Sequence, residues 1–313
     1  MNPVAVVVGT MHMDFVIYVD QLPKPGETVL GHKFETFPGG KGANQAVALA
    51  RLGAEVYMVS RVGEDFVGKE LLENAKRNNV KTDYVVVDSE EKSGVAFIIV
   101  DREGENVIAV APGVDNRICI EDLNRAEPAF SEASVVLAQL EIPVETALEA
   151  MKKGKEKGAL TILNVAPVKK LPLDQLKYVD ILVLNARELE ALIKMATGET
   201  LNYIEASRRI LDQGVSTVIV TRGKEGAEII TKEYSKLIPT FKVKVIDTVG
   251  AGDAFCGALA YALSRKAELE DAVRFANMVA ALKVTKKGAQ TGLPYLSEVR
   301  KFAEEQGIAF KFI

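Results

Sequence analysis

Apolar and polar positions along this chain follow two alternating rhythms. Six short runs, "VAVVVG", "EVYMVSRVG", "SVVLAQL", "ALTILNV", "DILVLN" and "TVIVTRG", are apolar at nearly every position and rich in β-branched residues, which predicts strands buried on both faces. Between them lie stretches with apolar residues three and four apart, such as "GKELLENAKRN", "VETALEAMKKGKEKG" and "EASRRILDQG". That period predicts amphipathic helices, with Gly158 and Gly214 placed as stops. Strand and helix in alternation predict parallel strands joined by crossover helices. The expected fold is α/β, with three layers and a mostly parallel central sheet.

Two segments break the rhythm. Phe15 to Phe37 is extended and punctuated by Pro and Gly, and "SGVAFIIVDREGENVIAV", Ser93 to Val110, reads as two β-rich runs around a polar turn. Residues 1–313 are therefore expected to form a single α/β domain carrying a small β appendage built from about 15–37 and 93–110. Such an appendage is either a lid over a site or an ordinary edge hairpin. Its free strand edges predict a homodimer.

Composition narrows the class. With 313 residues and 48% apolar content, the chain has enough material for a large core. Its 39 basic and 43 acidic residues are interspersed and give a formal charge of −4, so nucleic acid is not an expected partner. No run approaches the roughly 18 apolar residues that a membrane helix needs, and the N-terminus lacks signal-peptide character, so a cytoplasmic protein with no membrane partner is expected. Cys119 and Cys256 read as small buried hydrophobes rather than redox groups. Two histidines, His12 and His32, are too few for a histidine-rich metal cluster. In "VVVGTMHMDF", placed at the end of the first strand, His12 and Asp14 stand as a metal pair, an acid and base, or a grip on a substrate.

Ligands of open parallel sheets bind beyond the carboxyl ends of the strands, so the polar residues following them are the candidates: Asp14, Glu141, Asn164, Asn185, Glu188 and Thr221 to Gly226. In "DTVGAGDAFCGALAYAL" the small residues Gly250, Ala251 and Gly252 precede Asp253 and a helix. Free amides at a helix start attract an anion, and a carboxylate placed there opposes phosphate unless it has a task, such as taking a proton from an attacking hydroxyl. The plainer reading makes Asp253 a helix cap. In "PGGKGANQAVALARLGA" the glycines permit close approach to a ligand, with Lys41 and Asn44 as charge and amide, or else they form a tight turn with Lys41 in solvent. Walker, H-R-D and D-F-G strings are absent.

"PGGKGANQA" and "DTVGAGDAFCGAL" together resemble the two signatures of the ribokinase-like (PfkB) carbohydrate kinase family, and the likeness runs on through "GENVIAVAPGVD", "QLEIP", "LNVAP", "LNARELEAL", "TRGKEGA" and "VTKKGAQ". "GGKGANQAVA", "GENVI" and "KGAQ" are most similar to the ribokinase branch. The resemblance implies MgATP-dependent phosphorylation of a sugar hydroxymethyl group, O5 where the sugar is ribose. It implies Asp253 as general base, with Gly250, Ala251 and Gly252 as the anion hole. Asp14, Gly40, Lys41, Asn44 and Glu141 would hold the sugar. Asn185 and Glu188 match an N-x-x-E motif acting through water on Mg²⁺ and phosphates; Thr221, Gly223 and Gly226 would line the nucleotide, and Asn277 the adenine or its ribose. A potassium site is implied at Asp247, Val249, Lys283, Lys286, Gly288 and Gly292, although Gly292 stands where a hydroxyl side chain is usual.

His12-Met13-Asp14 replaces the usual Asn-x-Asp, which leaves ribose as the first expectation and a nucleoside, deoxyribose, another pentose or hexose, or a cyclitol as alternatives. Two other classes stand beside a kinase. A nicotinamide dehydrogenase calls for G-x-G-x-x-G after an early strand, where "GTMHMD" stands instead. A non-catalytic sugar-binding regulator would be expected to lack the base or the anion loop, and both are intact here.

Overall fold

In the computed structural model, which describes residues 2–313, the first apolar run becomes β1 (Val4–Val8). Three residues later the chain enters β2 (His12–Val19), followed by β3 (Gly31–Gly39), α1 (Lys41–Arg51), β4 (Glu55–Gly63), α2 (Phe66–Arg77), β5 (Val80–Asp88), β6 (Gly94–Val100) and β7 (Asn106–Ala111). After a 3-10 turn come α3 (Ile120–Arg125), α4 (Glu127–Glu132), β8 (Val135–Gln139), α5 (Val144–Glu156), β9 (Leu160–Asn164), β10 (Ile181–Asn185), α6 (Ala186–Thr197) and α7 (Tyr203–Leu211). The chain closes with β11 (Thr217–Thr221), β12 (Ala227–Ile230), β13 (Ser235–Ile238), α8 (Ala251–Ser264), α9 (Leu269–Val284) and α10 (Leu296–Glu305).

Nine strands form the main sheet in the order β13-β12-β11-β10-β9-β8-β1-β4-β5. The seven strands from β11 to β5 run parallel, and β12 and β13 add an antiparallel edge. All six predicted strands are present, and β1 is an interior strand because its residues Ala5 to Val8 are apolar on both faces and fully buried. Ala5 and Val7 face α1, α2 and α8–α10, while Val6 and Val8 face α3–α7, which makes the three layers. Each valine buried this way contributes about 1.5–3 kcal/mol. Gly158 and Gly214 stop their helices in the left-handed conformation, with φ of 79° and 100°. Cys256 is buried as expected, but Cys119 is only half-buried, with Arg61 donating to its Sγ at 3.3 Å. Among the described residues no helix is long and apolar enough to cross a membrane.

The appendage is a separate four-stranded sheet, β3-β2-β6-β7. It is wider than the sequence suggested. β2 opens at His12, so His12 and Asp14 belong to the small sheet and not to the end of β1. The apolar run that ends at Val8 and the one that begins at Phe15 read alike, and nothing in their pattern marks the change of sheet at Gly9–Met11. His12 pairs with Gly39 on one side and Gly94 on the other, and Asp14 pairs with Phe37 and Ala96.

α1 and α8 pack with almost no separation. A Cβ on Gly257 of α8 would lie 2.6 Å from the Ala48 Cβ of α1 and 3.0 Å from the Gln45 carbonyl, so only glycine fits there. This contact sets the two glycine-rich helix starts side by side at the carboxyl ends of the parallel strands.

Candidate active site

The "PGGKG" turn is tight because backbone presses on backbone. Gly40 has φ 84°, and a Cβ there would lie 2.8 Å from the Thr10 carbonyl and 2.9 Å from the His12 amide; one on Gly42 would lie 2.6 Å from the Thr10 amide. The loop leading out of β1 therefore rests directly on the start of α1. This places Glu141, just beyond β8, where it accepts from the Lys41 amide at 2.9 Å and from the Thr10 hydroxyl. Gly39 in turn leaves room for Asp14, whose carboxylate lies within 3.2 Å of where a Cβ would stand.

Asp253 sits in the first turn of α8 but does not cap it. Asn44 Nδ2 donates to its Oδ2 at 2.9 Å, and Gln45 Nε2 donates to its Oδ1 at 3.0 Å. Gln45 also donates to Asn164 Oδ1 at 3.1 Å and accepts from Gln139 Nε2 at 2.6 Å, while Asn164 donates to the Val183 carbonyl at 3.0 Å. A chain of amides from four elements thus aims one carboxylate. Burial pushes the Asp253 carboxyl above its ordinary range, with Lys41, Asn44 and Gln45 pulling against it. The alternative of a tight turn with Lys41 in solvent fails, since Lys41 lines the site. Burial draws its ammonium down, but Asp253, Glu141 and Glu188 around it outweigh that and raise it.

Gly250, in the left-handed conformation at φ 76°, opens α8. Among the described residues the amides of Gly250, Gly252 and Asp253 have no backbone partner, whereas Ala251 donates to the Thr248 carbonyl at 3.1 Å. Ala251 therefore shapes the turn and its neighbours hold the free donors, a shift within the expected anion hole. These residues, with Lys41, Asn164, Asn185 and Glu188, line a polar cavity of about 170 Å³. Asn185 and Glu188 lie at the start of α6 as a reciprocal cap: Glu188 N donates to Asn185 Oδ1 at 2.9 Å and Asn185 N to Glu188 Oε2 at 2.8 Å. At Thr248, Ala251 and Gly252 this cavity meets a larger, mainly apolar one of about 690 Å³, lined by Thr221, Gly223, Gly226, Phe241, Val245 and Asn277 among others. Asn277, implied beside the adenine or its ribose, lies in the lining of this larger cavity, with Nδ2 donating to the Ile238 carbonyl at 2.8 Å.

This arrangement presents a carboxylate with an elevated pKa beside free amides, between a polar cavity and an apolar channel, which is equipment for moving a phosphoryl group. A family model, described as pfkB family carbohydrate kinase, matches residues 3–296. The chain belongs to the pfkB family of carbohydrate kinases. This kinase is 40% identical to ribokinase of Bacillus subtilis over 296 residues, 94% of this chain and 97% of that one. Among solved structures it is similar to a ribokinase of Thermotoga maritima (TM-score 0.90, 38% identity, 96% and 99% of the two chains). It is also similar to the ribokinase of Arabidopsis thaliana complexed with ribose and ATP (TM-score 0.86, 32% identity, 96% and 98%).

Sequence reasoning about this kinase missed Gln45, Gln139 and Asp115. Gln45 holds Asp253 directly, and Gln139 acts on it through Gln45. Asp115, buried beside β6, pairs with His12 through Nε2. Burial draws the His12 pKa down, but the Asp115 hydrogen bond and charge outweigh it and raise it overall. Burial pushes Asp14 up to about 6, opposed by His12. "PGVD" carried a polar residue after the hairpin, but no spacing rule links position 115 to position 12.

Proposed function

We propose that this kinase transfers the γ-phosphoryl group of ATP to the 5-hydroxymethyl group of D-ribose. The observation that carries the reading is Asp253, held by Asn44 and Gln45 beside the free amides of Gly250, Gly252 and Asp253 itself. The relatives named as ribokinases, one of them with ribose and ATP bound, support the choice of sugar and donor. The sugar lies between the small sheet and α1. There Asp14 and Glu141 accept hydroxyl protons, while Asn44, Lys41 and the Gly40 backbone fix the remaining hydroxyls. The Asp253 carboxylate takes the proton of the attacking hydroxyl as the new O–P bond forms and the bond from the γ-phosphorus to the bridging oxygen of ADP breaks, and the free amides face the charge spreading over the transferred group.

ATP lies along the apolar channel, its base and ribose against Thr221, Gly223, Gly226 and Phe241 near Asn277, with its phosphates reaching the polar cavity. Among the described residues no three His, Cys, Asp or Glu side chains gather into a metal cage. Mg²⁺ therefore suits this site as an ion held mainly by phosphates and water, with Glu188 as an outer partner. When bound, it neutralises charge on the phosphates.

ADP release from MgATP, measured against ribose, deoxyribose, fructose, several nucleosides and myo-inositol, tests this reading. Ribose is expected to give the highest kcat/KM, by about tenfold or more. If every acceptor is inert, the reading as a sugar-binding regulator replaces it. The His12–Asp115 pair forms one wall, so His12→Asn is expected to change the order of acceptors by about one power of ten without abolishing turnover. An unchanged order would remove His12 from substrate choice.

The small sheet serves as a lid that excludes water from the reacting groups. It also joins two copies of the chain into a homodimer. Every residue of β7, a free edge, is exposed, and Phe34, Phe97, Val107, Ile108 and Val110 leave apolar surface on the sheet uncovered. Light scattering is expected to give twice the chain mass, and Ile108→Asp to give the monomer; a wild-type monomer at assay concentration would exclude the dimer.

A further inference from the structure

The six positions implied for a monovalent cation do come together, and a side chain of the protein itself reaches in among them. Lys283, in the last turn of α9, is fully buried. Its Nζ donates to the Asp247 carbonyl at 3.0 Å and stands 3.9 Å from Asp247 Oδ2. Other oxygens of the cage are engaged as well. The Lys283 carbonyl accepts from Lys286 N at 3.0 Å, the Gly288 carbonyl from Gly292 N at 3.1 Å, and the Asp247 carboxylate from Val249 N at 2.9 Å and Gly288 N at 2.7 Å.

Gly292 explains how the lysine fits. A Cβ there would lie 3.1 Å from Lys283 Cε, 2.7 Å from the Gly288 carbonyl and 3.2 Å from the Lys286 carbonyl. Any side chain at 292 would press on the lysine stem. The missing hydroxyl ligand and the inserted lysine are thus one change: removing the side chain at 292 makes the space through which Lys283 reaches the oxygens.

We propose that the Lys283 ammonium is a tethered substitute for the monovalent cation, so that this kinase works without potassium. The exchange is physically balanced. Both are single positive charges suited to oxygen partners, and a buried ammonium needs acceptors and a nearby carboxylate, which Asp247 provides. The charge lies under the segment Asp247–Gly250 that leads into the start of α8, where it steadies the loop that presents the free amides. A bound ion must be recruited at each encounter with the protein, whereas the lysine is always present and its ordering cost is met during folding.

The proposal rests on the phosphoryl-transfer reading, and its test includes readouts that do not. Thallium(I), a potassium mimic, is offered to the wild-type protein in equilibrium dialysis, and thermal unfolding is followed in potassium and in tetramethylammonium chloride. No stoichiometric thallium binding and no potassium-specific rise in Tm are expected, and kcat is expected to change by less than about twofold between the two salts. Lys283→Ala, which empties the cage, is expected to bind thallium and to need potassium, recovering about tenfold or more in kcat when it is added. Lys283→Met fills the same space without charge and is expected to lose turnover with no rescue.

Stoichiometric thallium binding by the wild type, or potassium activation of about tenfold or more, would overturn the proposal. So would a folded Lys283→Ala that neither binds thallium nor responds to potassium. If Lys283→Ala does not fold, the wild-type measurements decide alone. If no acceptor is turned over in either salt, the phosphoryl-transfer reading fails while thallium binding and Tm still report on the cage.

Discussion

Asp253→Asn is expected to leave a folded protein that binds sugar and nucleotide but turns over about 10³- to 10⁵-fold more slowly. The asparagine is isosteric, but it cannot take a proton, and its amide meets two donors, Asn44 Nδ2 and Gln45 Nε2, where the carboxylate accepted from both. One of those bonds is lost, which shifts the nucleophile as well as removing the base. Coupled assay of ADP release measures the fall, and calorimetric titration with sugar checks that binding survives. Turnover within a few-fold of wild type would take Asp253 out of the chemistry. The same carboxyl predicts an acid limb in kcat. Burial raises its pKa, so activity is lost as pH falls through a value above the ordinary carboxylate range.

Asp14→Asn is expected to raise the KM for sugar by about 10²- to 10³-fold while changing kcat much less, because a group that accepts two hydroxyl protons becomes one that accepts and donates. The empty protein should become more stable at the same time. Burial holds the Asp14 pKa at about 6 against an ordinary value of 3.8, so above pH 6 the folded state carries a carboxylate it disfavours. That penalty is present in full above the folded value, shrinks as pH falls from 6 to 3.8, and is gone below 3.8. Relieving it by substitution is worth roughly 1–3 kcal/mol at pH 7. Thermal unfolding of the variant at pH 7 and at pH 4 tests the sign: the gain should appear at the higher pH and shrink to a small remainder at the lower. In the wild type, sugar KM should climb below pH 6 as Asp14 becomes protonated.

The layered α/β body could be read from the sequence because each central strand is apolar on both faces and each helix on one, a pattern local to ten or fifteen residues. The two signatures likewise carried Asp253, Lys41 and Asn44, since glycine-rich helix starts declare themselves locally. What was not legible depends on partners far apart in the chain. Gln45 meets Asp253 across 208 positions and His12 meets Asp115 across 103, and no period or spacing encodes either. β2 was misplaced because a chain can leave one sheet for another within three residues without altering its hydrophobicity. Lys283 stood as one of six positions of an implied potassium site, whereas the structure brings in its side chain, whose stem lies where a Cβ on residue 292 would press.

The interior place of β1 also governs how this protein comes off the ribosome. The main sheet grows outward from its first strand: β4 and β5 extend one side, and β8 to β13 are added to the other in the order they are synthesised. The sheet can therefore assemble progressively, yet α1, made early, must wait for α8, some two hundred residues later, to cover it. Asp253 arrives on that late helix. A chain still being translated, or cut short before α8, has the strands of a kinase and none of its chemistry, so phosphoryl transfer begins only when folding is nearly complete.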